Sequence, residues 1–118
     1  MKIAITSKGS SIHHLVDPQF KSTDYIGVYD TDTDQCMFKL NEKNMNSVQR
    51  AGIQTAQNIV QTGAKVLLTG HCEPKAFYVL HYEEIKVFIG ADKTVALAIE
   101  DYRRGKLQEA KSADIEGY

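Results

Sequence analysis

Cysteine is scarce in this sequence: there are only two, Cys36 and Cys72, and no pairing pattern between them. Two are too few for a disulfide framework, so the chain reads as a reduced protein of the cytoplasm. Long apolar runs are also missing. None approaches the roughly 20 residues that cross a bilayer. The apolar N-terminal stretch turns polar at Ser7, too early for the core of a signal peptide. No membrane partner is therefore expected. Nor is there an excess of charge of one sign: 14 basic and 15 acidic residues leave a formal charge of −1. A dedicated nucleic-acid binder normally carries a basic surplus on one face, so nucleic acid is not an expected partner either. Enzyme signatures are absent too. The sequence has no nucleophile elbow around a serine, no phosphate loop ending in Gly-Lys-Thr and no GxGxxG. Cys72 beside His71 imitates a Cys–His nucleophile, but no orienting third group is evident. The expectation is a protein that is not an enzyme.

What is present fits one α/β domain. A length of 118 residues leaves no room for a second core, and 42% hydrophobic residues suffice for the first. Short apolar runs bounded by turn residues predict strands at Lys2–Ser7, Asp24–Tyr29, Gln35–Leu40, Lys65–Thr69 and Ile85–Ile89. The second and third are joined by the Asp30–Asp34 turn as an antiparallel hairpin. Asn41 to Asn46 read as a polar connection, followed by a helix capped by Ser47 that runs to about Thr62 and stops at Gly63. Val48, Ala51, Ile53, Ala56, Ile59 and Val60 give that helix its apolar face. A second helix opens at Pro74, where proline is best tolerated, and a third runs from Thr94 to about Arg104. The order is βββαβαβα. The expected sheet is mixed and five-stranded, in the order 3-2-1-4-5 with strand 2 antiparallel. The domain spans residues 1–107, and 108–118 form a polar, loosely held tail.

In that topology strands 1, 3, 4 and 5 point the same way, and all three helices begin at the edge where they end. Ligands of open α/β sheets bind beyond the strand C-termini, and helix starts favour anions. The edge gathers Ser7, Lys8, Gly9 and Ser10, then Thr69, Gly70, His71, Cys72, Glu73 and Pro74, then Gly90, Asp92 and Thr94. These are the candidate cofactor-binding residues. A thiol just before a helix is expected to have its pKa lowered, and imidazole and thiolate both ligate copper, zinc and iron. Cys72 and His71 are accordingly the first candidate metal ligands. His13 and His14 join them if their loop folds over the same edge.

Other groups read as structural. Cys36, beside Met37 and Phe38, packs in a strand. Asp30, Asp32 and Asp34 resemble a calcium loop, but Gln35 and Asn41 stand where the glycine and terminal glutamate belong. His81 lies between aromatic neighbours in a helix, and Arg103 and Arg104 complement a helix dipole.

Five blocks in order carry a resemblance: Met1–Thr6, Val16–Phe20, Ala51–Gln57, Leu68–Phe77 and Gly90–Thr94. Together they resemble the dinitrogenase iron–molybdenum cofactor biosynthesis family, most of all its small, stand-alone, orange protein-like members, over the chain to about Leu107. The resemblance implies a three-layer, ribonuclease H-like fold. It also implies binding or carriage of an anionic metal–sulfur cluster, either a molybdenum–copper sulfide or an iron–molybdenum cofactor precursor. Nuclease chemistry does not follow, because the first strand carries no carboxylate for a two-metal site. The chain departs from the family pattern at Glu73, where glycine commonly precedes the proline, and at Lys21-Ser22-Thr23, where Gly-Arg-Ala is usual. An acid gained and an arginine lost both weaken attraction for an anion, and Lys8, Lys21, Lys75 and Lys93 are the available compensation. The expected function is a cytosolic metal–sulfur cluster carrier, possible partners including other cytosolic proteins. The alternative is an interaction or regulatory module of the same fold with no cluster, and a small thiol-dependent enzyme is the third reading.

Overall fold

Side chains alternate across a strand, and here that alternation divides the apolar core in two. Along β1 (Lys2–Ser7), Ala4 joins one cluster while Ile3 and Ile5 join the other. Along β4 (Val66–Leu68), Leu67 faces one way and Val66 and Leu68 the other. All of these side chains are buried, as the central strands of a covered sheet require. The first cluster is closed by α1 (Ala51–Gln61) and α2 (Pro74–Tyr82) through Ala56, Ile59, Ala76, Phe77 and Leu80. Among the described residues the second is closed by one helix, α3 (Val95–Arg103), through Val95, Ala98 and Ile99. Three layers result. The computed structural model describes residues 1–43 and 50–111.

The remaining strands are β2 (Tyr25–Asp30), β3 (Gln35–Leu40), β5 (Lys86–Ile89) and β6 (Gln108–Glu109). Their order is β3-β2-β1-β4-β5-β6. β2 is antiparallel to both β1 and β3, whereas β4 is parallel to β1 and β5 parallel to β4. Strands β1, β3, β4 and β5 therefore point one way, and the shared C-terminal edge inferred from the sequence is present.

Two expectations need correction. Among the described residues the sheet has six strands, not five, and the segment after residue 107 is not loose where it begins. The chain turns at Gly105, whose φ is +71°, and returns antiparallel along β5, pairing Phe88 with Glu109 and Ile89 with Gln108. The Ala110 N–H donates to the Val87 carbonyl at 2.8 Å, and Ala110 is buried. A Gln-Glu pair has no strand composition. The open backbone groups along β5 recruit it. The described part of α1 starts at Ala51, after Arg50. The expected cap Ser47, Val48 and residues 44–46 of the expected polar connection lie outside the described residues.

Candidate functional site

Beneath the C-terminal edge lies a row of buried hydroxyls. Thr6, Ser7, Thr23 and Thr69 are all buried, so each must find a partner. The Thr6 hydroxyl donates to the Asp17 carbonyl at 2.7 Å. It therefore accepts in its 2.8 Å contact with Thr69, which is the donor. Ser7 Oγ donates to the Gly9 carbonyl at 2.7 Å and accepts the Gly9 N–H at 3.2 Å. The single Thr23 hydroxyl proton lies between two acceptors, the Ser7 and Tyr25 carbonyls, each 3.1 Å from Oγ1. This network knits the ends of β1 and β4 into a floor whose rotamers are fixed by hydrogen bonds.

Residues 8–19 are strapped across that floor. The Asp17 N–H donates to the Thr6 carbonyl at 2.9 Å, the Val16 N–H to Lys93 at 2.8 Å and the His71 N–H to Pro18 at 3.1 Å. Isolated bridges join Leu15 to Thr94 and Gln19 to His71. The three expected loops do converge: the Gly90 and Ala91 N–H groups donate to the Gly70 and Thr69 carbonyls at 3.0 and 3.2 Å. Close approach dictates two of the glycines. A Cβ on Gly70 would lie 2.7 Å from Pro18 Cα, and one on Gly9 would lie 2.4 Å from Cγ of the His14 ring. Gly90, at φ +86°, instead serves the turn out of β5.

The helix starts do not behave as the sequence suggested. At α3 the Val95 and Ala96 N–H groups donate to the His14 and Ile12 carbonyls at 2.9 and 3.0 Å. The Leu97 N–H goes to the Thr94 hydroxyl at 3.2 Å, so Thr94 is a cap. The strap has taken the donors that an anion would need. Glu73 is spent in a similar way at α1: a Cβ on Gly52 would lie 1.4 Å from Glu73 Oε1, which places the carboxylate against the positive start of that helix.

Cys72 also departs from expectation. It is a fully buried member of the α1–α2 core, with its Sγ 3.8 Å from the Glu73 carbonyl. Burial and the neighbouring Glu73 charge push its thiol up to about 12, the opposite of the lowered pKa inferred from its place before a helix. The four expected ligands His13, His14, His71 and Cys72 do not assemble around one point. Among the described residues no group of three His, Cys, Asp or Glu side chains does so.

The edge presents to solvent the side chains of Lys8, Ser10, His13, His14, Gln19, Lys21, His71, Asp92 and Lys93. Lys93 is paired with Asp101 at 3.2 Å. Pro74 opens α2 behind them. Imidazole and ammonium groups standing on a rigid floor can hold an anion by charge and hydrogen bonding, without a thiolate. The sequence reading missed Thr6, Asp17, Pro18 and Gln19, which fix the strap. Pro18 in its Val-Asp-Pro-Gln-Phe block was the available signal.

The family model for dinitrogenase iron-molybdenum cofactor proteins matches residues 1–105. Among solved structures, the apo form of the orange protein from Desulfovibrio gigas is 34% identical, the match covering 94% of this chain and 93% of that one, with a TM-score of 0.89. A proposed NifB protein from Thermotoga is 24% identical over 92% and 91% of the two chains, with a TM-score of 0.75. A proposed dinitrogenase from Methanocaldococcus jannaschii is 14% identical over 95% and 96%, with a TM-score of 0.67. At those two identities the likeness is one of fold. No curated protein matches the chain.

Proposed function

The chain belongs to the dinitrogenase iron-molybdenum cofactor family, and on that premise we propose that it binds and carries a molybdenum-containing metal–sulfur cluster on the C-terminal edge of its sheet. The cluster is cargo, either a molybdenum–copper sulfide or an iron–molybdenum precursor, and it arrives with its own sulfide. The observation that supports this reading is the hydroxyl-braced edge, at which His13, His14, His71, Lys8 and Lys21 are exposed beside buried Ser7, Gly9, Thr69 and Gly70. Because Cys72 is held as a neutral thiol in the core, the cargo is held by cationic and hydrogen-bonding side chains, with any direct metal bond coming from imidazole.

Anaerobic reconstitution with tetrathiomolybdate and copper(I) tests this, read by visible absorption and elemental analysis. Stoichiometric molybdenum with charge-transfer bands is expected. Uptake should fall in the Lys8→Ala/Lys21→Ala and His14→Ala/His71→Ala variants and weaken with salt, since exposed charges are screened beyond about 8–10 Å at physiological ionic strength. Uptake untouched by all four substitutions would place the cargo elsewhere.

A second reading, a regulatory or interaction module without cargo, is favoured by the burial of Cys72 and the lack of a three-donor group among the described residues. It predicts a protein that stays colourless through the same reconstitution.

A further inference from the structure

The sheet is covered unequally. On the face of α1 and α2 two helices share the work. On the other face, among the described residues, α3 stands alone over β1 and β4, so the outer strands β2 and β3 are left at its margin. Cys36 and Phe38 on β3 are only half-buried there, although both point toward this face. Between the β2–β3 hairpin and α3 runs a cleft of about 490 Å³, within the range of small-molecule sites.

Its chemistry is specific. Ile12, Cys36, Phe38, Ala96 and Ile99 make an apolar body, with the Ser10–Ser11 segment of the strap at its border. Tyr29, Asp34 and Arg103 add a polar border. Arg103 donates to the Tyr29 hydroxyl, and that hydroxyl donates to Asp34. The guanidinium also lies 5.1 Å from the Tyr29 ring centroid and 3.5 Å from Asp34 Oδ1. Glu100, the remaining charged group of the lining, is paired with Arg104 at 3.0 Å. Every charge at the cleft therefore already has a counter-ion.

We propose that this cleft is a second binding site, separate from the strand C-terminal edge, for an uncharged, ring-bodied organic molecule carrying a hydrogen-bonding group. A ring fills the space against Phe38 and Ile99 with little loss of rotamer freedom. A charged molecule would have to shed water without gaining a free counter-ion, or break an existing pair. Tyr29, fixed by Arg103 and Asp34, offers hydrogen bonding without net charge.

Amide chemical-shift mapping on the full chain tests the proposal with three probes of similar size: indole, benzoate and benzylamine. Indole should move the resonances of residues 36–38 and 96–103 and saturate at millimolar concentration. Benzoate and benzylamine should bind these residues at least about tenfold more weakly, the penalty for an unpaired charge. Ala96→Trp should fill the cleft and abolish the indole shifts. Ile12→Trp, at a half-exposed position on the strap, should do the same if the first variant folds poorly. Indole shifts that are absent, scattered or centred on the strand edge would overturn the proposal. So would equal binding of the charged probes, or indole binding that survives a folded filling variant.

Discussion

Gly70→Ala tests the strap directly. The added Cβ would sit 2.7 Å from Pro18 Cα, 2.9 Å from Pro18 Cβ and 3.2 Å from the Pro18 carbonyl oxygen. Ordinary carbon–carbon contact begins near 3.5–4.0 Å, so the strap must retreat by about 1 Å. The obstacle is backbone and cannot rotate away. Overpacking of this kind costs about 1–3 kcal/mol. The retreat also strains the hydrogen bond from His71 N–H to Pro18, worth about 1 kcal/mol net. Against this, replacing glycine at an ordinary φ recovers about 0.4–1 kcal/mol by restricting the unfolded chain. The balance is a loss of about 2 kcal/mol, or roughly 10 °C in Tm for a domain of this size. Gly90→Ala is the informative control. Gly90 has φ +86° and nothing within 4 Å of a new Cβ, so only the left-handed backbone is penalised, by about 1 kcal/mol. Thermal and urea denaturation should therefore rank Gly70→Ala as the worse variant, although Gly90 has the rarer backbone. If Gly70→Ala is as stable as the parent, or less damaging than Gly90→Ala, the close approach of strap and β4 loop is refuted.

Gly52→Ala should leave stability within about 1 kcal/mol, because helix propensity gained offsets the Glu73 carboxylate displaced from the start of α1; a loss above about 2 kcal/mol in urea would show that Glu73 cannot swing aside. Thr6→Val should cost about 1–3 kcal/mol by orphaning the Thr69 hydroxyl and the Asp17 carbonyl, measured by the same denaturation. The unfolded Cys72 thiol ionises around its ordinary value of 9.0 while the folded thiol stays protonated to about 12, so the unfolded state binds fewer protons and stability should fall as pH rises through that window. Comparing urea midpoints of the parent and Cys72→Ala between pH 8 and pH 10 isolates this contribution; identical pH slopes would refute it. Ala110→Asp should destabilise by about 2 kcal/mol or more if β6 is a real strand, and a neutral result would return the tail to the status of a loose end.

Most of the fold was legible because its signals were local. β1 and β3 match their expected spans, and α2 starts at Pro74, where the proline ring needs no N–H partner. The direction of each strand followed from hairpin and crossover rules and held throughout the five expected strands. β6 was invisible because nothing in Gln108 and Glu109 prefers a strand; the vacancy beside β5 is a property of the assembled sheet.

The edge shows where local reading ends for the site itself. Position before a helix suggested a reactive Cys72, but pKa is decided by total surroundings, and the α1–α2 interface supplies desolvation that the helix start does not overcome. The start of α3 suggested an anion cradle, yet the chain provides its own acceptors from His14, Ile12 and Thr94. The second outcome traces to the strap. By lending its carbonyls to α3 and to His71, it gives up the backbone donors that would have met an anion. In exchange it holds His13 and His14 outward on a braced support, His14 packed over Gly9. On the proposed reading, selectivity for cargo at this edge comes from exposed side chains rather than from the α3 dipole. Substitutions at residues 8–19 should therefore alter what is bound more than substitutions in the first turn of α3.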